Sequence, residues 1–206
     1  MYIEPTSHIV NSMTGSLSNS TGQYQKKISD LKGIYADHAA FFTLRAQDPD
    51  RIVYDVCEVR PKAESGDLIF GTTHMLPGKV GTEFFVTRGH IHACANRPET
   101  YYGESGFGLM VLESPRGDVR IMEVTPKTII YVPPMWIHRS VNIGDTPLVM
   151  SFCYPVDSGQ DYDVIARSGG MAVRIVENGL GWQAIDNTDY KPRTEEQIQA
   201  IHATQD

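Results

Sequence analysis

An all-β sandwich or barrel with short helices near its two ends is the fold class this chain predicts, and three observations carry it. From Ile52 onward apolar and polar residues alternate at period two, in runs rich in β-branched and aromatic types. Gly, Pro and Asp break these runs at short intervals, and no helical period intervenes, which is the pattern of a sandwich or barrel. At 206 residues the chain can bury one substantial core without staples; Cys57, Cys94 and Cys153 are odd in number and lack CxxC spacing, as reduced thiols do.

Taken in order, residues 1 to about 22 are polar and rich in Ser, Thr and Asn, and read as an arm laid over the domain or across a partner copy. Ser29 to Gly33 and Ile34 to Phe42 have short helical character, with Gly33 as the break and alanines favouring helix after it. Strands are expected near 52–60, 67–76, 82–87, 99–104, 106–114, 118–124, 128–132, 138–144, 147–155, 171–177 and 181–186. Gly106-Phe107-Gly108 and Arg116-Gly117-Asp118 read as hairpin turns, where Gly supplies positive φ. Residues 156–170 form a long connection of the kind that carries function. Thr194, followed by Glu195, Glu196 and Gln197, is an N-cap signature for a terminal helix over 194–202.

The net charge of −7 argues against nucleic acid or an anionic membrane as partner, since both repel an acidic surface. No apolar run approaches the roughly eighteen residues of a membrane span, and Met1 to Pro5 lacks a basic and an apolar leader region. A cytoplasmic protein is expected.

The chemistry concentrates in Gly89-His90-Ile91-His92, in Glu99 seven residues on, and in His138 after Pro133-Pro134. Side chains two apart on a strand share a face, so His90 and His92 can offer two imidazoles to one ion. Glu99 and His138 stand on later β-like runs. Three neutral imidazoles and a carboxylate suit a borderline divalent metal and leave positions open for a substrate, as catalytic sites do.

Pro77-Gly78, Glu83, Thr87 to His92, Glu99-Thr100-Tyr101, Gly103, Gly106-Phe107-Gly108, Tyr131 to Pro134, Trp136, His138 and Asn142 resemble the two cupin motifs. With Asp48-Pro49-Asp50, Val53-Tyr54-Asp55-Val56, Tyr154-Pro155, Asp161-Tyr162, Gly170-Met171-Ala172 and Glu177-Asn178-Gly179, they are similar to the cupin-type glucose-6-phosphate isomerases of archaea and some bacteria. The resemblance spans roughly residues 26–191, dividing the chain into an N-terminal arm (1–25), a cupin barrel (26–191) and a C-terminal helix and tail (192–206).

What it implies is a double-stranded β-helix, or jelly-roll, barrel in a cytoplasmic homodimer that interconverts glucose 6-phosphate and fructose 6-phosphate. The implied metal ligands are His90, His92, Glu99 and His138, holding one divalent ion per subunit, Fe first, with Mn, Zn, Ni and Co as other candidates. Tyr54, Thr72, Thr73, Thr87, Gly89, Tyr154 and Tyr162 fall on or beside substrate-binding positions; Glu99, Tyr101 and position 160 fall on catalytic ones. Position 160 departs from the family, because Gln160 stands where His is usual, and Gln forms hydrogen bonds without shuttling a proton near neutral pH. Two other activities fit the same ligands: an iron-dependent cupin dioxygenase, and an isomerase of another phosphorylated sugar. Hydrogen could move between C1 and C2 as a proton through an enediol or as a hydride; the residues alone allow both.

Overall fold

The computed structural model describes residues 4–61 and 66–204, so the first three residues of the expected arm and the last two of the expected tail lie outside the described residues. In chain order come β1 (Gly22–Lys27), a 3-10 turn (Ile28–Leu31), α1 (His38–Gln47), β2 (Ile52–Val59), β3 (Leu68–Met75), β4 (Lys79–Val80) and β5 (Glu83–Phe84). There follow β6 (Glu99–Ser105), β7 (Gly108–Glu113), β8 (Val119–Val124), β9 (Ile129–Val132), β10 (Ile137–Asn142) and β11 (Leu148–Pro155). Last are α2 (Asp163–Arg167), β12 (Val173–Asn178), β13 (Gly181–Asp186) and α3 (Glu195–Ala203). The expected all-β cupin barrel with short helices is what forms.

Three sheets are ordered β1-β2-β3-β11-β6-β9, β10-β7-β8 and β13-β12-β5-β4, and the ladders are antiparallel. Neighbours far apart in sequence, such as β3 with β11 and β7 with β10, make the jelly-roll crossing. Alternation sorts the side chains: β6 buries Glu99, Tyr101 and Gly103 and exposes Thr100 and Tyr102. Ile69, Met75, Leu109, Met110, Ile137, Leu148 and Met150 are fully enclosed between the sheets. Each contributes about 1.5–3 kcal/mol of burial free energy, which is why the fold holds without disulfides.

Several elements differ from the sequence reading, each for a physical reason. β1 pairs with β2 although its residues, Gly-Gln-Tyr-Gln-Lys-Lys, are nearly all polar. It is an edge strand with an exposed face, where apolar alternation is not needed. The expected boundary at 25/26 falls inside it. The strand expected over 82–87 reduces to two residues plus an isolated bridge between Val86 and Val141, because the chain leaves one sheet there and crosses to β10. α1 starts at His38 rather than Ile34, since Asp37 caps it by accepting the Ala40 N–H at 2.8 Å. It stops at Gln47, just ahead of Asp48-Pro49. α3 begins as expected, with Thr194 and Gln197 forming a capping box.

The arm lies on the outer face of the six-stranded sheet. Ser12 donates its hydroxyl to Glu104 at 3.0 Å, and Thr72 donates to the Gly15 carbonyl.

Candidate active site

Three of the four candidate metal ligands, His90, Glu99 and His138, are gathered at one point by backbone pairing between segments distant in sequence. His90 and His138 form an isolated antiparallel bridge, with His90 N–H donating to the His138 carbonyl at 3.1 Å and His138 N–H returning at 2.9 Å. Residues directly opposite in an antiparallel pair present side chains on the same face, so the two imidazoles stand side by side. Gly89 permits this approach: it holds φ +73°, and a Cβ there would lie 3.0 Å from the His138 carbonyl and 2.7 Å from Ile165 Cδ1. Glu99 enters from the first residue of β6, paired with Val132.

The Glu99 Oε2 lies 3.0 Å from His138 Nε2, 3.3 Å from His92 Nε2 and 3.9 Å from His90 Nε2. His90, Glu99 and His138 bring their ligand atoms within 4.8 Å of one another. His92 lies outside that trio: its Nε2 approaches Glu99, but the residue lines a neighbouring cavity with Ile91, Ala95 and Val164. His92 Nδ1 contacts the Arg97 carbonyl at 2.7 Å and His138 Nδ1 the Trp136 carbonyl at 3.1 Å, so each Nδ1 donates its proton outward and each Nε2 faces the Glu99 carboxylate.

Two observations test whether these residues fit a cation. The Nε2 atoms of His90 and His92 are buried and make no hydrogen bond, an arrangement that buried nitrogens avoid unless a ligand completes them. The protonation states also suit coordination. Burial, followed by the neighbouring His138, lowers the His90 pKa well below its ordinary value, so the ring is neutral. Burial alone would raise the Glu99 carboxyl, but His138 and His92 together outweigh it and hold the group below the usual carboxylate range, so it is ionised. The donor set fits a divalent metal.

Above this floor is a cavity of about 300 Å³. Tyr54, Thr73, Thr87, Gly89, Tyr101, Tyr154, Gln160 and Tyr162 line it beside His90, Glu99 and His138. Register explains the gathering: Thr73 lies opposite Val56 on β2 and Met150 on β11, while Tyr101 lies opposite Phe152. Thr72 is the exception among the expected residues. One position along β3 it turns to the outer face, where its hydroxyl bonds the arm at Gly15, and it does not line the cavity.

Burial pushes Tyr54 up to about 12 and raises Tyr101, Tyr154 and Tyr162 as well, so their phenols stay protonated. Thr87 Oγ1 accepts the Ser140 N–H at 2.9 Å, which leaves its hydroxyl proton to be given elsewhere. The 156–170 connection closes one side. Asp161 and Ile91 exchange both backbone hydrogen bonds, Tyr162 bonds Gln160, and Arg88 lies 4.7 Å over the Tyr162 ring.

Sequence reading missed Tyr24, Glu58, Arg60, Arg139 and Ser140, all of which also line the cavity. Tyr24 sits on the unexpected β1, and Arg139 alternates away from His138 on β10, so neither carried a motif signal. Glu83, one of the motif residues, is structural: it takes the Ala36 N–H at 2.6 Å and pairs with Arg174 at 3.0 Å. His74 contacts Asp55 at 2.9 Å away from the cavity.

The family model of glucose-6-phosphate isomerase matches residues 25–193. A glucose-6-phosphate isomerase of Sinorhizobium medicae is 58% identical over 200 residues, covering 97% of this chain and 94% of that one. The glucose-6-phosphate isomerase of Pyrococcus furiosus is 41% identical over 191 residues, covering 93% of this chain and all of that one. Among solved structures, oxalate oxidase in complex with the substrate analogue glycolate is similar at a TM-score of 0.45 and 15% identity, over 53% of this chain and 55% of that one. The matched length and identity to the isomerases settle the kinship: the chain belongs to the cupin-type glucose-6-phosphate isomerase family.

Proposed function

We propose that this protein interconverts glucose 6-phosphate and fructose 6-phosphate with one divalent cation per subunit held by His90, His92, Glu99 and His138. The observation that carries the reading is the convergence of three Nε2 atoms on one ionised carboxylate, at the floor of a cavity lined by hydroxyl groups. Fe is the first candidate for the ion, then Mn, Zn, Ni or Co, all of which accept mixed N and O donors. When bound, such an ion supplies Lewis-acid stabilisation of the negative charge that develops on the two sugar oxygens as hydrogen moves between C1 and C2.

The chain's own groups do the rest. Glu99, ionised and enclosed, lifts the C2 proton and returns it at C1, which is the general-base half of an enediol route. Tyr101, kept protonated by burial and by the Glu99 charge, donates to a sugar oxygen near that carbon pair. Tyr54, Tyr154 and Tyr162 offer flat apolar walls with one hydroxyl each, suited to a sugar ring. Thr73, Thr87 and Gly89 take the phosphate end. Gln160 is tethered to the Tyr162 phenol and orients the sugar by hydrogen bonding. Gln160→His should therefore raise turnover of the cyclic sugar several-fold while metal content stays the same; an unaltered rate on freshly dissolved anomer removes position 160 from the limiting step.

The reading includes a cytoplasmic homodimer. Ile129 and Tyr131 on the edge strand β9 are 71% and 54% exposed, and Tyr102 opposite Ile129 extends the same apolar strip, which a second copy would cover. Sedimentation equilibrium should return twice the chain mass, and a monomer at micromolar concentration contradicts it. The activity is tested by incubating the metal-loaded protein with fructose 6-phosphate under nitrogen. Formation of glucose 6-phosphate without oxygen supports the isomerase and excludes the dioxygenase, whereas no turnover with any of the five metals contradicts the isomerase and oxygen uptake with a candidate substrate favours the dioxygenase.

A further inference from the structure

We propose that Arg139 is the cation that meets the substrate's phosphate, and that it is the charge which makes this pocket select phosphorylated over neutral sugars. The inference rests on the isomerase reading and deepens it. Arg139 stands between the cavity above the ligands and a neighbouring cavity lined by Tyr35, Arg88 and Arg174, on the strand that also supplies His138 and Ser140. Its Cβ packs against Gly89, where any side chain would strike it at 2.9 Å.

The guanidinium is anchored but not neutralised. Nη2 donates to the Arg88 carbonyl at 2.8 Å, Nε is buried with no hydrogen-bond partner, and no carboxylate pairs with the group among the described residues. Its neighbour Glu83 is already engaged by Arg174 and the Ala36 N–H. A largely enclosed cation without a counter-ion is unfavourable unless an anion arrives to compensate it. The other cation of the wall, Arg60, is half exposed and already paired with Glu58 at 3.1 Å. Arg139 is thus the cation of the wall with capacity to spare, and the Thr87 hydroxyl, whose oxygen already accepts from Ser140, offers its proton to the same cavity. A dianionic phosphate needs both charge and donors, and a guanidinium supplies them together.

The experiment compares wild type, Arg139→Met and Arg139→Lys, each loaded with metal. It follows KM and kcat for fructose 6-phosphate, competitive inhibition by inorganic phosphate, metal content, and thermal unfolding with and without inorganic phosphate. Arg139→Met should keep its metal, raise KM and the phosphate inhibition constant together by about 10- to 100-fold, and lose the thermal protection phosphate gives wild type. Without phosphate it should unfold no earlier than wild type, because a buried unpaired charge has been removed. Arg139→Lys, which keeps the charge and loses the fork, should fall between the two.

If Arg139→Met shows wild-type KM and phosphate inhibition, the inference is overturned while the isomerase stands. Should Arg139→Met fail to fold, Arg139→Lys decides: a several-fold rise in both constants supports the assignment, and lowered stability with unaltered constants makes Arg139 structural and overturns it. A wild type that phosphate stabilises but that turns over no hexose phosphate leaves the anion site and removes the isomerase.

Discussion

His138→Ala should leave the protein unable to retain its cation, with metal affinity down by about 100-fold or more and isomerase activity at background. Two observations make this the most sensitive ligand. Its Nε2 approaches Glu99 most closely, at 3.0 Å, and its Nδ1 is fixed by the Trp136 carbonyl. Its backbone holds His90 in place through both hydrogen bonds of the bridge. Alanine keeps the bridge and removes only the ring, so the barrel should still form. Elemental analysis after dialysis, read beside circular dichroism, checks it; a folded variant with a full equivalent of metal would show that the other three residues suffice.

Glu99→Gln is the second large effect, and it separates holding the ion from moving the proton. The amide has almost the same shape but no charge, so some coordination survives through its oxygen. General-base catalysis does not survive, and the rate should fall by about 10²- to 10⁴-fold. Partial metal content with this loss of rate is the expected pair of results. In heavy water the wild type should place deuterium on the migrating position of the sugar, since a proton carried by Glu99 exchanges with solvent. Complete retention of the original hydrogen would point to a hydride shift, leaving Glu99 as a ligand.

The acid–base state of the site gives these variants their meaning. Enclosure keeps His90 neutral and the surrounding imidazoles keep Glu99 ionised, so these two donors are available at neutral pH without first releasing protons. Gln at position 99 would break that balance, because the imidazoles would face an uncharged amide.

Much of the barrel was legible because period two is a local property: β2, β3 and β6 to β13 fall within one or two residues of where alternation put them. β1 was not, since its neighbours in space, not its own polar residues, make it a strand. The site was legible in the same uneven way. His90 and His92 announce themselves by spacing, and Glu99 and Tyr101 by sharing one face of β6. The bridge that joins His90 to His138 depends on a pairing across 48 residues that no local pattern encodes. Thr72 and Thr73 could be told apart only by the register of β3, which turns one hydroxyl to the arm and the other to the cavity. Arg139 carried no signal for a related reason: it alternates away from His138 on β10, and only the packing of the strands brings it to the cavity wall.

The most direct test of the central claim is a titration. Protein stripped of metal by a chelator and then assayed with fructose 6-phosphate should be inactive, and activity should rise in proportion to added cation until one equivalent per chain is bound. Full turnover by protein shown by elemental analysis to hold no metal would contradict the account.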